Sequence, residues 1–332
     1  MAGQQQKQKP QQFFLQSVKL NEKEIPRSWI TSVIYIEKTR LTAPLLELEV
    51  HDTNGRLVDE LGARYGAKIV AELGDPTGQR GAFKETFFVT SAPANGDVVR
   101  IISLSEDLKR LKTESSRVRL YADRQPGDVM KEHAGAMAIE ADAFKKAMTY
   151  HLNMGQKPSG VLRQMAEDHG ALVWCARGKF CMKDMAKLIK NKAAFTYEAN
   201  NPQSQYTISK LSIINQDNAA TGSRDYQFVG FSMTDGYIAV GDKSKPVKYI
   251  SDADIATLTN MARVLVPKLD IEVTGNADIT AGMVIAVQIH RYDPDNQVDE
   301  TLPKNFIVAA AIHHEDRIGY TTRMILGVPN IE

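Results

Sequence analysis

Two histidines and two carboxylates occur in one four-residue run, His313-His314-Glu315-Asp316. Imidazole and carboxylate groups bind transition metals, so the run has the residue types of a metal site. It lies at the end of a predicted strand, however, where neighbouring side chains point to opposite faces of the sheet. His313 and His314 therefore cannot readily bind one ion, and we predict a strand end that turns into a polar loop.

The only two cysteines, Cys175 and Cys181, flank the predicted turn of a β-hairpin at Arg177-Gly178. A three-residue loop, 177–179, would place the thiols opposite each other, in a geometry that permits a cross-strand disulfide. A two-residue loop would instead place Cys181 opposite Trp174. Thiols stay reduced in a cytosol, so we expect two small buried apolar side chains. Two cysteines without further ligands are also too few for a zinc site.

The segment Gly236 to Ser244, GYIAVGDKS, nearly matches a phosphate-binding loop. Asp242 stands between the second glycine and the lysine, where its carboxylate would repel phosphate and break the required spacing. The sequence lacks the serine-hydrolase, zinc-protease and dinucleotide-binding motifs. With 40 acidic residues some carboxylate pair is unavoidable, so glycosidase chemistry is left without support. We predict that the protein is not an enzyme and has no catalytic, cofactor-binding or metal-binding residues.

The charge balance gives no sign of a nucleic-acid or membrane-surface protein. Lys and Arg total 41 and Asp and Glu total 40, for a formal charge of +1, whereas such proteins usually carry a basic excess. The locally basic runs Lys109 to Arg119 and Lys183 to Lys192 contain few aromatic residues, so we interpret them as solvated faces. Near neutrality favours a protein that works inside an assembly.

Targeting and membrane segments are not predicted. The longest apolar runs, Phe306 to Ile312 and Met283 to Val287, are far shorter than the roughly 18 residues of a membrane-spanning helix. Residues 1–12 are rich in Gln and contain no apolar segment of a secretory signal, so we predict a flexible tail there. We therefore expect synthesis and folding in a cytosol.

Residues 13–111 predict a first antiparallel β-barrel domain. Leu46, Leu48 and Val50 alternate with polar residues, and a second strand of the same kind ends at Gly74-Asp75-Pro76. Further strands are predicted at Phe87 to Val89 and Val98 to Leu104. Regularly spaced strands without intervening helices argue against a dinucleotide-binding βαβ fold.

Residues 112–195 predict a middle α+β segment. Asp128 is the expected N-cap of one helix, whose apolar positions are Val129, Met137, Ala141, Phe144 and Met148, with Gly135 as a point of interruption. A second helix is expected from Ser159 to Gly170. The β-hairpin around Arg177-Gly178 follows it.

Residues 196–332 predict a second β-barrel domain with one helix. Ser251 is the expected N-cap of this helix, which carries Ile255, Leu258, Ala262 and Leu265 and ends before Pro267. Alternating strands follow, at Met283 to Ile289, at Phe306 to Ile312 and at Tyr320 to Leu326.

The first and last regions align as an internal duplication. Gly66 to Leu73 lies over Gly282 to Ile289, the loop residues Asp75-Pro76 over Asp293-Pro294, and Phe87 to Ala92 over Phe306 to Ala311. The match is short, and any two β-barrels share alternation, so chance similarity is the competing interpretation. The predicted fold is mainly β with α+β insertions: two related antiparallel, tube-like β-barrel domains and the middle segment. Three such chains would present six similar barrels around one axis.

Two stretches resemble the phage tail hub proteins of the late control gene D and VgrG-like group. The first is Gln156 to Met182, a helix followed by a hairpin. The second is the region from Ile255 onward, with a turn at Gly275-Asn276-Ala277, the strand from Phe306 to His313 and Gly319-Tyr320-Thr321-Thr322 near the end. Ala277 stands where that family usually has proline. The clear resemblance covers about the C-terminal half.

The resemblance implies a structural baseplate hub of a contractile phage tail. Such hubs trimerise into a pseudo-sixfold ring that adapts the sixfold tail tube to a threefold central spike and forms part of the ejection channel. The implied partners are a second and third copy of the chain, the tail tube protein, a separate trimeric spike protein, other baseplate proteins, and the tape-measure protein and genome that pass through the lumen. The implied location is the virion tail baseplate, after assembly in the host cytoplasm.

Further expectations follow from that resemblance. Phe87 to Ala92 and Phe306 to Ile312 should form part of a tube wall without a dense basic surface, because phosphate contacts would retard the genome. The tail and the loops Gly74 to Lys84 and Asp293 to Lys304 are expected to order on contact with neighbouring tail proteins. Two alternatives stay open: the hub of a type VI secretion or pyocin-like particle, and a tail-associated cell-wall hydrolase.

Overall fold

Antiparallel strands dominate the chain, as the alternating sequence pattern predicts. A computed structural model describes residues 13–214, 226–251, 253–291, 297–298 and 301–330. The strands are β1 (Leu15–Leu20), β2 (Lys23–Glu24), β3 (Ile30–Lys38), β4 (Leu45–His51), β5 (Lys68–Gly74), β6 (Ala82–Ser91), β7 (Ala94–Asn95), β8 (Val98–Ser105), β9 (Arg119–Arg124), β10 (Ala138–Ala141), β11 (Met148–Leu152), β12 (Ala171–Ala176), β13 (Lys179–Asp184), β14 (Thr196–Ala199), β15 (Ile208–Ile213), β16 (Gln227–Ser232), β17 (Gly236–Val240), β18 (Val247–Ser251), β19 (Leu265–Thr274), β20 (Val284–Ile289), β21 (Asn305–Asp316) and β22 (Tyr320–Pro329). The helices are α1 (Arg56–Asp59), α2 (Glu106–Lys112), α3 (Pro126–His133), α4 (Pro158–Asp168), α5 (Met185–Leu188) and α6 (Ile255–Ala262).

Two groups of six strands have the same neighbour order. The N-terminal β-unit runs β1-β5-β6-β8-β4-β3, and the C-terminal β-unit runs β14-β20-β21-β22-β19-β15. Strands at equivalent positions also occur in the same order along the chain: β1, β3, β4, β5, β6 and β8 of the first unit correspond in turn to β14, β15, β19, β20, β21 and β22 of the second. The predicted pairs of aligned segments fall on β5 with β20 and on β6 with β21, which confirms the two related β-regions. Asp293-Pro294 lies outside the described residues.

Strand β21 joins the two units into one 14-stranded sheet. Its first part pairs with β20 inside the C-terminal β-unit, and its second part, from Ala310 to Asp316, pairs with β3 of the N-terminal β-unit. Each unit has its own apolar core, with Leu46, Leu48 and Phe87 fully buried in one and Phe306 and Val308 in the other. The shared strand therefore fixes the two cores relative to each other.

The middle of the chain is an α+β region with a third core. Strands β10, β13 and β12 form a three-stranded sheet, β9 and β11 form a ribbon, and α4 packs on β12. Leu162, Met165 and Phe180 are completely buried there. The chain between β15 and β19 forms a separate small sheet, β17-β16-β18, which packs on α6. The predicted boundaries at residues 111, 195 and 196 stay predictions.

The helix boundaries correct several expectations. Helix α3 begins at Pro126, so the predicted cap Asp128 lies inside its first turn and Gln125 holds the N-cap position. The helix ends at His133, just before Gly135, which adopts a left-handed φ of +59°. The predicted continuation through Met137, Ala141, Phe144 and Met148 is wrong, since these residues lie in or beside β10 and β11.

Helix α6 is capped by Asp254, whose carboxylate accepts a hydrogen bond of 2.8 Å from Thr257 N. The predicted cap, Ser251, ends strand β18 instead, and Leu265 begins β19 rather than ending the helix. Helix α4 begins one residue before the predicted Ser159, with Pro158 in its first turn, and it ends before Gly170 as predicted.

Candidate functional site: the junction of the two β-units

A buried guanidinium group connects three parts of the chain. Arg177 lies in the two-residue turn between β12 and β13, and its side chain enters the space between the two β-units. Its Nε donates to Glu37 Oε1 of β3 at 2.6 Å. Its Nη1 donates to the carbonyl of Ala277 at 2.7 Å and its Nη2 to that of Ile279 at 2.8 Å. One side chain therefore ties the hairpin to both units.

The Glu37 carboxylate completes this junction from the N-terminal β-unit. The side chain is fully buried, and its second oxygen accepts a hydrogen bond of 2.9 Å from Ala281 N. Burial, the largest single effect, would raise the pKa of Glu37, but the charge of Arg177, the neighbouring His313 and hydrogen bonds from Thr280 and Arg177 together hold that pKa below its usual value. The pair stays ionised because each charge is met by several partners.

His313 lies on the far side of Arg177, inside the C-terminal β-unit. Its Nε2 lies 3.1 Å from the Ile279 carbonyl and 3.3 Å from Arg177 Nη2. Its Nδ1 lies 2.6 Å from the Tyr320 hydroxyl. Burial, reinforced by the charge of Arg177, lowers the pKa of His313 to about 3. The imidazole is therefore neutral and both nitrogens are occupied.

The turn after β19 is held by a second set of buried polar groups. Asn276 N and the Thr322 hydroxyl are 3.0 Å apart. The Asn276 side chain donates to the Tyr197 hydroxyl at 3.0 Å. These bonds position the carbonyls of Ala277 and Ile279 that receive Arg177. The turn at Gly275-Asn276-Ala277, which is part of the family resemblance in the sequence, therefore belongs to the segment that binds Arg177 of the hairpin.

This arrangement can fix geometry, but it offers no reacting group. The His313 imidazole has no exposed surface, and Arg177 donates to Glu37 of β3 and to two carbonyls of the turn after β19. The run His313 to Asp316 alternates between the inside and outside of β21, as predicted, and no cluster of three metal-ligating side chains occurs among the described residues. We interpret the junction as a mechanical connector.

The cysteines are free and lie on opposite faces of the hairpin. The two-residue turn pairs Trp174 with Cys181 and Cys175 with Phe180. Cys175 therefore faces the core of the middle region, and Cys181 faces the C-terminal β-unit. Burial raises the pKa of both thiols, that of Cys181 to about 12, so neither is a reactive nucleophile.

The phosphate-loop candidate is a strand followed by a turn. Gly236 begins β17, and Asp242 accepts a hydrogen bond from Ser244 N at 2.8 Å in the turn that follows. A phosphate loop would lead into a helix, whereas this turn leads into β18. The rejection of a phosphate site is consistent with this geometry.

The basic runs lie on two separate clefts. Lys109, Arg110, Arg117 and Arg119 line one beside Phe88. Lys183 and Lys192 line another, between the hairpin and the C-terminal β-unit. No described helix has the length and apolarity that crossing a bilayer requires.

Sequence reasoning missed Arg177 and Glu37 as a pair. Arg177 has a left-handed φ of +49°, in a turn position where asparagine or glycine is usual. An arginine at a turn position that favours asparagine or glycine was the one feature of the sequence that could have indicated a special role for this side chain. Glu37 shares a face with Val33 and Tyr35, but Ile34 and Ile36 make the opposite face equally apolar, so the pattern did not reveal which face was buried.

Comparisons with known proteins identify the fold. The tail protein from Neisseria meningitidis MC58 superimposes with a TM-score of 0.64 at 13% identity, over 96% of this chain and 97% of that one. The 43 kDa tail protein of prophage MuSo2 from Shewanella oneidensis gives 0.59 at 12% identity, over 94% and 97%. A component of the E. coli type VI secretion system, described as similar to bacteriophage T4 tail proteins, gives 0.53 at 11% identity, over 98% and 78%.

No protein-family model and no curated protein sequence matches the chain. The three structures are phage tail proteins and a type VI secretion component, the same kinds of protein as the family that the sequence resembles. At these identities the likeness establishes a shared fold: this chain has the fold of phage tail proteins and of a type VI secretion component.

Proposed function

We propose that the protein is the structural hub of a contractile phage tail baseplate. Three copies form a ring that presents six similar β-units to the sixfold tail tube and threefold symmetry to a separate trimeric spike. The observation that carries this proposal is the equivalent strand order of the two β-units, joined by β21. A duplicated unit in a trimer is the simplest way for one chain to match both symmetries.

The rigid junction suits this role. A hub that transmits force between tube and spike must keep its two β-units in one orientation. The shared strand and the buried contacts of Arg177 with Glu37, Ala277 and Ile279 supply such a fixed orientation. The proposed role needs no catalytic group.

In this proposal the lumen carries the tape-measure protein and then the genome. Strands β6 and β21, which contain Phe87 to Ala92 and Phe306 to Ile312, contribute to the tube wall. We expect that wall to lack a dense basic surface, because phosphate contacts would slow the passing DNA. A ring structure with lysines and arginines clustered on the lumen would contradict this part.

End-on electron microscopy of the purified protein at high concentration tests the proposal. The expected particles are threefold rings with an open centre and six lobes. If only monomers appear, mixing with the candidate spike protein decides between a hub that needs its spike and a different role. Monomers that persist with spike and tube proteins present would refute the hub assignment.

A second candidate is the hub of a type VI secretion or pyocin-like particle. The similarity to the E. coli secretion component over 98% of this chain favours keeping it. The same ring is expected in both particles. Capsid and terminase genes beside this gene would support the phage, and secretion genes would support the alternative. A cell-wall hydrolase remains the third interpretation, which clearing of purified peptidoglycan by the protein would support.

A further inference from the structure

The small sheet β17-β16-β18 is apolar on both of its faces. One face packs on α6 and contains Phe228 and Ile238. Alternate residues point to the opposite face, where Val229 pairs with Ala239 on one side and with Tyr249 on the other. We use the name sheet face for the apolar and aromatic residues of this opposite side, which are Val229, Phe231, Tyr237, Ala239, Val247 and Tyr249.

The sheet face is exposed and uncharged. Phe231, Tyr237, Val247 and Tyr249 expose between 50% and 71% of their surface. None of the residues that these three described strands direct to this side is charged, although charged residues make up 24% of the chain. A sheet face in water normally carries polar residues at such positions. Exposed tyrosine and phenylalanine without charge are typical of the centre of a protein–protein interface.

The two longest stretches outside the described residues do not have the composition to cover the sheet face. Residues 215–225, which precede β16, contain no leucine, isoleucine, valine, methionine or aromatic residue. Residues 1–12 contain Met1 as their one large apolar residue. The matching apolar surface is therefore to be found on another molecule.

A second exposed apolar face lies on the ribbon of β9 and β11. Tyr121 and Leu152 belong to the core of the middle region, so the alternate residues of β9 point away from that core. Among them, Leu120 is 68% exposed, Val118 just before the strand is 65% exposed, and Ala122 continues the row. We use the name ribbon face for Val118, Leu120 and Ala122.

The sheet face and the ribbon face lie on opposite sides of one stack of layers. The small sheet packs on α6, α6 packs on α4, and α4 packs on β11 of the ribbon. Asp168, at the end of α4, connects the inner layers: its carbonyl accepts from Asn260 Nδ2 of α6 at 3.0 Å, and its Oδ2 accepts from the Tyr150 hydroxyl of β11 at 3.0 Å. The sheet face points away from α6 and the ribbon face points away from α4. The two faces of one copy therefore do not meet.

We propose that the sheet face of one copy packs on the ribbon face of the next copy in the ring. The inference rests on the proposed trimeric hub and names one of its contacts. Two different faces on opposite sides of one chain make a head-to-tail contact, the type that closes into a ring when the rotation is right. A second copy is the occupant that the chain itself supports, because it brings an apolar face that is also uncovered.

The size of the two faces sets the strength of this contact. The sheet face exposes about 500 Å², at about 200 Å² for a fully exposed aromatic side chain. The ribbon face is smaller, so the contact buries less than about 1,000 Å², whereas stable interfaces bury about 1,200–2,000 Å². The contact is therefore one part of the ring interface, and it is populated at high protein concentration.

Charged substitutions on either face test the contact in solution. Tyr237→Glu/Tyr249→Glu alters the sheet face, and Val118→Glu/Leu120→Glu alters the ribbon face. Each double variant should raise at least tenfold the protein concentration at which half of the chains are trimeric, as measured by analytical ultracentrifugation. All four positions are exposed in the single chain, so an unchanged melting temperature will show that the variants are folded.

A matched control replaces exposed apolar residues outside both faces. Tyr65 and Ile318 are 83% and 97% exposed. Tyr65→Glu/Ile318→Glu adds the same charge as each face variant and should leave the half-assembly concentration within twofold. Equal weakening by the control would mean that added charge, and not loss of a specific face, dissociates the ring.

Equimolar mixing of the two face variants distinguishes a head-to-tail contact from a symmetric one. Each variant keeps the face that the other has lost, so the mixture should form dimers that cannot close into a ring, whereas neither variant associates alone. If the variant with the altered ribbon face dimerises alone, sheet faces pair with each other and the proposed contact is wrong.

Cross-linking detects the contact even where the ring is weakly populated. Tyr237→Cys mixed with Leu120→Cys should give at least tenfold more linked heterodimer with a short bismaleimide than Tyr65→Cys mixed with Leu120→Cys. The native thiols of Cys175 and Cys181 are buried and do not compete.

The outcomes separate this contact from the hub proposal. A trimer that both face variants leave intact would overturn the contact and leave the hub standing. Selective cross-linking in a chain that forms no trimer, even with spike and tube proteins present, would keep the contact and count against the hub. If the sheet-face variant keeps its trimer but loses the spike protein, the occupant is that partner and the assignment to a second copy is wrong. Absence of both trimer and selective cross-linking would contradict both proposals.

Discussion

The two β-units share their strand order, yet only in the C-terminal β-unit do backbone hydrogen bonds join the two strands at the ends of that order, β14 and β15. There, Glu198 N donates to the Tyr206 carbonyl at 2.9 Å, and Glu198 bridges to Thr207 just before β15. In the N-terminal β-unit no described backbone bond joins β1 to β3. Instead the carboxylate of Glu315, from β21 of the other unit, accepts hydrogen bonds from Phe14 N and Leu15 N at 2.7 and 2.8 Å.

The N-terminal β-unit therefore depends on its neighbour for closure. Its β3 edge is covered by β21, its β1 end is held by Glu315, and its buried Glu37 is neutralised by Arg177 of the middle region. The C-terminal β-unit also contributes to these contacts, through Ala281 N and the carbonyls of Ala277 and Ile279, but it joins its own first and last strands without its neighbour. The two units are therefore similar scaffolds that close in different ways.

Among the tests of this dependence, Arg177→Met should have the largest effect on stability. The change leaves the Glu37 carboxylate buried without its counter-charge, which costs about 3–5 kcal/mol of unfolding free energy. Hydrogen exchange should speed up in β4 and β8 before β19 and β22. The double variant Glu37→Leu/Arg177→Met should recover part of the loss, because no isolated charge remains. Equal loss in single and double variants would show that packing, and not charge, dominates the junction.

The aligned glycines of the two units allow a matched comparison. Gly66 and Gly282 both have a left-handed φ, of +82° and +79°. A Cβ atom at Gly66 meets nothing within 4 Å, whereas one at Gly282 overlaps Trp174. We expect Gly66→Ala to cost about 1 kcal/mol, from backbone strain alone, and Gly282→Ala to cost about 2–4 kcal/mol. Denaturant unfolding measures both, and similar costs would mean that the indole moves away freely.

The carboxylates that close the two units give a third comparison. Glu315→Gln weakens the acceptor of two backbone donors and removes the ion pair with Arg27. We expect a loss of about 2 kcal/mol and faster exchange of the Phe14 and Leu15 amides. Glu198→Gln is the control, because its backbone bridge survives and its side chain is 20% exposed; it should cost under about 1 kcal/mol. The opposite ranking would contradict the dependence of the first unit on the second.

The smallest expected effect is a pH dependence confined to the N-terminal β-unit. Burial raises the pKa of Glu85 to about 8, against a hydrogen bond of 2.9 Å from the Tyr35 hydroxyl. Glu37, Asp107 and Arg177 also face this carboxyl. Since the folded pKa lies above the unfolded value, the contribution to stability is complete below about pH 4.5 and is lost as pH rises through 8.

We therefore expect the N-terminal β-unit to lose about 1 kcal/mol between pH 7 and pH 8. Glu85→Gln should flatten this dependence, as followed by hydrogen exchange in β5 and β6. The aligned position of the C-terminal β-unit is Lys304, so β20 and β21 should show no matching slope. An unchanged slope in the Gln variant would assign it to another group.

Local sequence patterns were sufficient to predict the strands, the two related β-regions and the hairpin. Alternation at Leu46, Leu48 and Val50 is a local property of a strand with one buried face, so it can be read without tertiary knowledge. The helix α4 and the turn at Arg177-Gly178 were predicted for the same reason. The predicted cap at Ser251 failed because Ser251 is the last residue of a parallel edge strand, and that pairing spans twenty residues of chain.

The junction of the two β-units could be recognised only in the folded chain. Glu37, Arg177 and His313 are separated by more than a hundred residues from one another, and their pairing follows from the register of β21 against β3. A buried charge is tolerated only where its partners converge, and that convergence is a property of the assembled fold. Sequence patterns fix which face of each element is apolar; the packing of those faces fixes which polar groups meet.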